Sequence, residues 1–401
     1  MTLRQDSPTS LSVHPVGGQE RFATVLQVLP ALGAAGGVER GTVEVAGAIV
    51  RAGGRALVVS SGGPLVREIE RAGATHFALP VDSKNPFVVR ANAGHLAALI
   101  EREGVDIVHA RSRAPGWSAW WAAKATKRRF VTTFHGTYGA GNWLKRRYNA
   151  VMTKGDRVIA ISAFIAGHIR QIYGVPASRI RIIHRGVDLG RFDPKLVTAE
   201  RVVKLATAWR LTDGLPVVML PARLTRWKGQ TVFLDAIARL GRSDVRAVLV
   251  GGADGRESFR VELERQIARL GLESVARLVD HCNDMPAAYM LADVAVSASI
   301  EPEAFGRVVA EAQAMGRPVV VADHGGAKEC VIEGETGWLV PAGDPDALAD
   351  AIRRMLALSP DVRRAIAARA VAHIAENFSK DTMAAKTLAV YDEVLAEPVE
   401  R

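Results

Sequence analysis

The chain has 401 residues, enough for two or three domains at about 150 residues each. Its residues are 48% hydrophobic and 23% charged, the balance of an ordinary globular protein, which excludes a disordered or fibrous chain. Lysine and arginine outnumber aspartate and glutamate by 52 to 42, and the resulting net charge of +10 indicates an anionic partner: nucleic acid, a membrane surface or a phosphate-bearing substrate.

The N-terminal segment has no features of a secretion signal. Residues 1–20 lack an apolar run, so we predict a flexible tail there. No apolar run in the chain approaches the roughly 18 residues of a membrane-spanning helix. The two cysteines, Cys282 and Cys330, cannot build a disulfide scaffold or a four-ligand zinc site. These features predict a cytoplasmic protein whose contact with any membrane is peripheral.

Short apolar runs alternate with longer amphipathic stretches along most of the chain. The runs read as strands over 22–30, 55–61, 105–110, 130–136, 157–162 and 179–187, and in a second series over 216–222, 246–252, 276–280, 294–299 and 317–322. Helical periodicity is clear over 230–240 and 258–271. Because continuous apolar strands are typical of parallel sheets covered on both faces, the pattern predicts an α/β fold with doubly wound sheets.

A polar stretch over 190–215 separates the two series and predicts two domains. We place the first domain at residues 21–195 and the second at 210–377, with a terminal helix over 378–401 that crosses back to the first. Ligands of such sheets bind at the carboxyl ends of the strands, so we expect the two domains to face each other across an interdomain cleft.

Two features of the first domain are suited to phosphate or sugar binding. Gly36 and Gly37 follow a strand and open a helix, where backbone N–H groups can hold a phosphate, although the spacing is not that of a dinucleotide fingerprint and such glycines are often structural. His135 ends a strand and could donate to a phosphate or sugar hydroxyl, act as a base, or simply be a core or capping histidine.

Two cations follow the first strand of the second domain. Arg223 and Lys228 stand just after that strand, and Lys228 leads through Gly229 into a helix. Two such charges can neutralise a diphosphate as a metal ion would. The alternative is a pair of ordinary solvated surface charges.

The segment 297–331 carries two glutamates in a glycine-rich setting. Glu303 follows a strand, and Glu311 comes eight positions later, about two helical turns. The helix is predicted to begin around Phe305 and Gly306, so that its first amides face the same side as Glu303. Carboxylates accept hydrogen bonds from sugar hydroxyls, and helix-start amides hold phosphate. An isolated glutamate pair at this spacing is usually on the surface.

An ordered set of segments resembles the retaining glycosyltransferase family 4, whose fold is GT-B. The set comprises GGVER (36–40), HGTYG (135–139), HRGVD (184–188), RLTRWKG (223–229) and EPEAFGRVVAEAQAMG (301–316). It spans nearly all of the chain after residue 20. In HRGVD, Arg185 takes the place of the family's asparagine, so Asp188 receives little weight as a site residue.

The resemblance implies a role for each candidate residue and a two-domain GT-B fold with an acceptor side at 21–195. Glu303 would bind the hydroxyls of the donor sugar near the amides of Phe305 and Gly306, and Glu311 would hold the ribose. Arg223 and Lys228 would bind the diphosphate, together with the backbone of Gly36 and Gly37. His135 would lie beside the transferred sugar.

The implied reaction moves a sugar from a nucleotide-sugar to a glycan or lipid-linked acceptor with retention, in lipopolysaccharide or cell-surface polysaccharide synthesis. Two alternatives remain open: a sugar-nucleotide epimerase or hydrolase on the same fold, and a basic nucleotide-binding protein without turnover. No metal and no other cofactor is expected. Asp344-Pro345-Asp346 matches an Asp-x-Asp metal motif, but an aspartate before a proline predicts a helix N-cap.

The net positive charge is concentrated in one segment, residues 111–157. This basic window holds eleven lysines and arginines against the single acid Asp156, together with four of the seven tryptophans. Basic clusters beside aromatic residues are typical of docking to anionic lipid, here the inner face of the cytoplasmic membrane, or of binding a lipid-linked acceptor. The alternatives are a solvated face and nucleic acid, of which nucleic acid is least favoured because no recognition module accompanies the window.

Overall fold

The computed structural model describes residues 14–16, 19–33, 37–139 and 141–398. The chain divides into two compact units. Unit 1 comprises Met1–Gly186 and Lys380–Arg401, and unit 2 comprises Val187–Ser379. Residues 187–195, which we expected in the first domain, therefore belong to unit 2.

Most of the predicted N-terminal tail lies outside the described residues. The part that is described forms two short strands, β1 (His14–Val16) and β2 (Gln19–Arg21), which pair antiparallel. These two strands are paired in the structure, whereas the sequence predicted a flexible tail there.

Unit 1 contains a seven-stranded parallel sheet in the order β5-β4-β3-β6-β7-β8-β9. Its strands are β3 (Thr24–Val28), β4 (Arg55–Ser60), β5 (Thr75–Ala78), β6 (Ile107–Ala110), β7 (Arg129–Phe134), β8 (Arg157–Ala160) and β9 (Ile180–Ile182). Its first six helices are α1 (Gly37–Arg51), α2 (Val66–Arg71), α3 (Pro86–Glu103), α4 (Arg113–Ala125), α5 (Trp143–Asn149) and α6 (Ala163–Tyr173). The order reverses direction between β3 and β6, as in a Rossmann-like domain.

Unit 2 contains a six-stranded parallel sheet in the order β12-β11-β10-β13-β14-β15. Its strands are β10 (Val217–Pro221), β11 (Arg246–Val250), β12 (Ala276–Val279), β13 (Val294–Ser297), β14 (Val319–Ala322) and β15 (Gly337–Val340). Its helices are α7 (Ala199–Ala208), α8 (Gln230–Leu240), α9 (Glu257–Arg269), α10 (Met285–Leu291), α11 (Arg307–Ala314), α12 (Pro345–Leu356) and α13 (Pro360–Asn377). The predicted α/β class with two doubly wound sheets is confirmed.

Both faces of the unit 1 sheet are buried, which explains its continuous apolar strands. Val25 and Leu26, neighbours on β3, belong to separate hydrophobic clusters because successive side chains of a strand point to opposite faces. The terminal helix α14 (Lys380–Ala396) packs beside α1 and adds Leu388, Tyr391 and Val394 to one of these clusters. The last helix of the chain therefore completes the core of unit 1.

None of the helices described is long and apolar enough to cross a membrane.

Candidate active site

In unit 2, the site residues lie where the sheet order reverses. Strands β10 and β13 are neighbours in the sheet, and the loops that follow them carry Lys228 and Glu303. Because parallel strands end at the same edge of a sheet, the two loops meet there. Ile300 N donates to the Trp227 carbonyl across them at 2.8 Å.

Glu303 is fixed through both of its carboxylate oxygens. Lys228 Nζ lies 2.8 Å from Oε2, and Ser299 Oγ donates to Oε1 at 2.5 Å. The side chains of Lys228 and Glu303 are only 13% and 11% exposed, so each charge needs the other as a partner. The structure brings together two predicted site residues and adds Ser299, which the sequence analysis did not single out; the Ser-Ala-Ser end of β13 was its signal.

Two glycines let the surrounding backbone close around this ion pair. At Gly229, with φ +74°, a Cβ would lie 1.8 Å from the Ala298 carbonyl oxygen. At Gly325, with φ +65°, a Cβ would lie 2.6 Å from the Glu303 carbonyl oxygen, and Gly326 N donates to that same oxygen at 2.7 Å. Neither position has room for a side chain, so these glycines are required by close backbone packing.

Helix α11 begins at Arg307, directly after Glu303, Phe305 and Gly306 in the chain. The Phe305 side chain is buried, so this residue can offer a ligand only its backbone. Gly306 has φ +134°, and a Cβ there would lie 2.6 Å from Ala327 Cα. The first amides of a helix have no intrahelical acceptor and are available to an anion.

Glu311 lies on α11, and its side chain is 13% exposed. Its Oε2 accepts a hydrogen bond from Tyr289 Oη at 3.2 Å, and its Oε1 lies 3.3 Å from Arg307 Nε. Burial raises the pKa of Glu311, and the Arg307 guanidinium opposes that rise. Tyr289 is a further residue that the sequence analysis missed, because a tyrosine in an apolar helix reads as core.

Arg223 is exposed on the loop after β10. Its carbonyl accepts from Gln230 Nε2 at 2.8 Å, whereas its side chain has no hydrogen-bond or ion-pair partner within the described part of the chain. Arg223 thus lies on the same loop as Lys228 but does not take part in the ion pair with Glu303.

Unit 1 holds the second group of predicted residues. Gly37 opens α1 and His135 follows β7, while Gly36 lies outside the described residues. Arg185 links the two that are described: its guanidinium donates to the Gly37 carbonyl, and its Nη2 lies 2.9 Å from His135 Nδ1. Arg185 was noted only as a departure from the family motif, and it is the residue that organises this group.

A buried polar pocket surrounds His135. A cavity of about 20 Å³, close to the space of one water molecule, is lined in part by Arg111, Thr133, His135 and Arg185. Gly41 makes room for both arginines, because a Cβ there would lie 2.6 Å from Arg185 Nη1 and 3.0 Å from Arg111 Nη2. Burial and the charges of Arg185 and Arg111 hold the pKa of His135 well below its ordinary value.

The Asp-x-Asp motif is a helix cap, as predicted. Asp344 Oδ1 accepts from Asp346 N and Ala347 N, each at 3.0 Å, at the start of α12. Among the residues that the structure describes, no group of three or more His, Cys, Asp or Glu side chains could hold a metal ion.

The basic window does not form one charged surface, which corrects its treatment as a unit. Arg111 is 3% exposed and donates to Gln27 Oε1 at 3.0 Å, and Arg157 pairs with Glu393 at 2.7 Å. Three of the tryptophans, Trp117, Trp120 and Trp121, pack against one another on α4.

Helix α5 is one exposed part of the window, and Lys124, Lys127 and Lys154 are exposed outside it. Trp143 and Leu144 are 67% and 60% exposed, and the next three residues, Lys145, Arg146 and Arg147, are exposed as well. Helix α5 therefore places apolar and basic side chains together at the surface of unit 1.

Comparison with known proteins matches each of the two units to a glycosyltransferase model. Residues 35–191 match Glycosyltransferase Family 4, and residues 215–358 match Glycosyl transferases group 1. A D-inositol 3-phosphate glycosyltransferase of Xylanimonas cellulosilytica is 33% identical over 328 residues, which cover 75% of each chain.

Two solved structures resemble this one over nearly its full length. A glycosyltransferase from Rickettsia africae ESF-5 is 38% identical, with a TM-score of 0.87 over 94% of this chain and 99% of that one. Anabaena HepE, solved in complex with UDP and glucose, is 25% identical, with a TM-score of 0.76 over 92% of this chain and 98% of that one. With its two Rossmann-like domains, the chain belongs to glycosyltransferase family 4 and is a glycosyltransferase of the GT-B fold.

Proposed function

We propose that this enzyme transfers a sugar from a nucleotide-sugar donor to a glycan or lipid-linked acceptor, with retention of anomeric configuration. The observation that carries the proposal is the Glu303 carboxylate, which Lys228 and Ser299 hold at the end of β13 beside the start of α11. A fixed carboxylate beside free helix amides suits a ligand with both hydroxyl groups and phosphate.

Each part of the site has a role in this proposal. Glu303 accepts hydrogen bonds from the hydroxyls of the donor sugar, and Glu311 accepts them from the ribose. Lys228, Arg223 and the first amides of α11 stabilise the charge that develops on the departing diphosphate, so no metal ion is needed. In unit 1, the backbone of Gly37 at the start of α1 could offer an N–H group to a phosphate, and His135 could offer a hydrogen bond to a sugar.

The proposed chemical step balances without a covalent intermediate. The bond between the anomeric carbon and the phosphate oxygen breaks, and the diphosphate leaves with the electron pair. The acceptor hydroxyl oxygen forms its bond on the same face of the sugar, and its proton passes to the departing phosphate oxygen. Configuration is therefore retained.

The relatives indicate which substrates to test first. The Anabaena protein is bound to UDP and glucose, which supports a UDP-sugar as donor. For the acceptor, we favour a glycan or glycolipid of lipopolysaccharide or another cell-surface polysaccharide. The name of the Xylanimonas relative, a D-inositol 3-phosphate glycosyltransferase, makes a phosphorylated inositol the second candidate.

We also propose that the enzyme works as a peripheral protein at the inner face of the cytoplasmic membrane, with α5 as the docking element. Exposed Trp143 and Leu144 suit the boundary between headgroups and acyl chains, and the basic run of Lys145, Arg146 and Arg147 suits anionic headgroups. Docking there would bring a lipid-linked acceptor to unit 1.

The transfer proposal is tested by following donor turnover across UDP-, GDP- and ADP-sugars, with each acceptor class and with water alone. Glu303→Gln keeps the size of the side chain but removes its charge, so turnover should fall at least about a hundredfold, the usual loss for an electrostatic group in a site. Binding of the nucleoside diphosphate should persist. Glu301→Gln, at an exposed position in the same loop, is the control and should keep wild-type turnover. Unchanged turnover in the Glu303 variant would refute the assignment of this site.

A further inference from the structure

The contact between Arg185 and His135 determines where the imidazole carries its proton. Arg185 Nη2 lies 2.9 Å from His135 Nδ1. A guanidinium has only donors, so Nδ1 must be the acceptor in this hydrogen bond. A neutral imidazole with an accepting Nδ1 carries its proton on Nε2.

The surroundings of His135 favour the neutral ring. Among the residues that the structure describes, the positive charges of Arg185, on the loop after β9, and Arg111, directly after β6, act on it, and His109 of β6 lies nearby. A positive charge on the imidazole would be repelled by both arginines in a buried pocket.

His135 Nε2 is the ring atom left for a ligand. It is buried and has no hydrogen-bond partner among the residues that the structure describes. A buried N–H without an acceptor costs roughly the free energy of a lost hydrogen bond, so it is expected to bind water or a ligand oxygen.

We propose that Arg185 is a positioning residue that fixes His135 as the neutral Nε2–H tautomer, so that His135 donates a hydrogen bond and cannot serve as a base. The ring has no free lone pair, because Nδ1 is engaged by Arg185 and Nε2 carries the proton. The ligand of Nε2–H is an oxygen, of either a sugar hydroxyl or a phosphate. This last step rests on the proposed function, whereas the tautomer does not.

The test is the nitrogen NMR spectrum of the histidine rings in the full chain, labelled with ¹⁵N and free of donor. A His135→Gln variant identifies the His135 resonances by their loss. In the wild type at neutral pH, Nε2 should appear as a protonated ring nitrogen and Nδ1 as an unprotonated one. An Nδ1–H tautomer, or a charged ring, would overturn the proposal.

Two variants test whether Arg185 fixes the tautomer of His135. Arg185→Met removes the donor while keeping a long side chain, and it should shift His135 toward a mixture of tautomers and toward protonation at higher pH. Arg170→Met, at an exposed position on α6, makes the same change of charge and should leave the His135 spectrum unchanged. An unaltered spectrum in Arg185→Met would overturn the role of Arg185. If that variant does not fold, the wild-type spectrum still decides the tautomer.

The two proposals fail separately. Loss of the expected donor turnover would refute the transfer reaction without changing the histidine spectrum of the ligand-free protein. An Nδ1–H tautomer of His135 would refute the positioning role of Arg185. The turnover of the Glu303 variant would still test the transfer reaction.

Discussion

Gly229 illustrates how single residues set the geometry of the site. It joins Lys228 to α8 in a left-handed conformation, against the backbone at the end of β13. Gly334 has nearly the same conformation, with φ +77° against +74°, but nothing lies within 4 Å of where its Cβ would be. Comparing a substitution at Gly229 with one at Gly334 therefore separates the cost of backbone strain from the cost of a steric clash.

We predict that Gly334→Ala costs about 1–2 kcal/mol of unfolding free energy, the strain of a left-handed alanine. Gly229→Ala should cost clearly more, because the Ala298 carbonyl must move, and it should also reduce donor turnover because Lys228 precedes it. Urea unfolding of both variants measures the difference. Equal losses of unfolding free energy in the two variants would contradict the close contact between Gly229 and the Ala298 carbonyl.

The residues predicted from sequence were those whose chemistry is visible in a short motif. Lys228 and Glu303 stand in glycine-rich loops after apolar strands, and the structure pairs them. Ser299, Tyr289 and Arg185 were not predicted as site residues. The roles of Tyr289 and Arg185 depend on contacts between segments distant in sequence, such as the approach of Arg185 to His135, which no local pattern encodes. The contact of Ser299 with Glu303 is local.

At the scale of elements, α14 is bound to the unit 1 sheet by a buried polar chain. His109 of β6 bonds through Nδ1 to Tyr391 Oη and through Nε2 to Thr133 Oγ1, each at 2.7 Å. Burial, together with the nearby Arg111, holds the pKa of His109 well below its ordinary value of 6.5. The helix is therefore attached through a histidine that must remain neutral.

This network predicts that stability falls in mild acid. The unfolded chain protonates His109 near its ordinary pKa of 6.5 while the folded chain does not, so the stabilisation is complete above that pH and is lost as the pH decreases below it. The expected slope is about 1.4 kcal/mol per pH unit for each such histidine.

Urea unfolding measured between neutral pH and mild acid tests the predicted loss of stability. His109→Gln should lower stability at neutral pH and flatten the slope, whereas His95→Gln, at an exposed position on α3, should keep the wild-type slope. An unchanged slope in His109→Gln would rule out this histidine as the source.

Within the two parallel sheets, the two strands missed from sequence lie at sheet edges. In β5 (Thr75–Ala78) the two end residues are exposed and the two central ones half-buried, and β15 (Gly337–Val340) begins with a glycine. Central strands are covered on both faces and therefore consist of apolar runs. Edge strands are less completely covered, so an apolar run is not required there. All the central strands were predicted, whereas of the four edge strands β9 and β12 were predicted and β5 and β15 were not.

At the scale of the whole molecule, the charges of the basic window add up to +10, which equals the net charge of the entire chain. The structure places these charges in different environments. Arg111 and Arg157 are held by contacts within unit 1, whereas Lys145, Arg146 and Arg147 are exposed on α5. Only the exposed charges can act on a distant surface.

We predict that the wild-type protein sediments with vesicles of anionic lipid and that reversing Lys145, Arg146 and Arg147 to Glu weakens this binding at least tenfold, since each basic residue near such a surface contributes about 1 kcal/mol. Arg51, Arg67 and Arg71 are exposed elsewhere on unit 1, so their reversal makes the same change in net charge and should have a smaller effect. Trp143→Ala with Leu144→Ala should also weaken binding. Equal loss in the two charge-reversed variants, or no binding by the wild type, would contradict docking through α5.

The position of α14 has a consequence for the order in which the protein folds during synthesis. Unit 2 is continuous, Val187–Ser379, whereas unit 1 needs both Met1–Gly186 and the segment from Lys380. A nascent chain usually folds its N-terminal domain first. Here the ribosome delivers Tyr391 to its site beside His109 only after every residue of unit 2 has been made, so the unit that begins first is the last to complete its core.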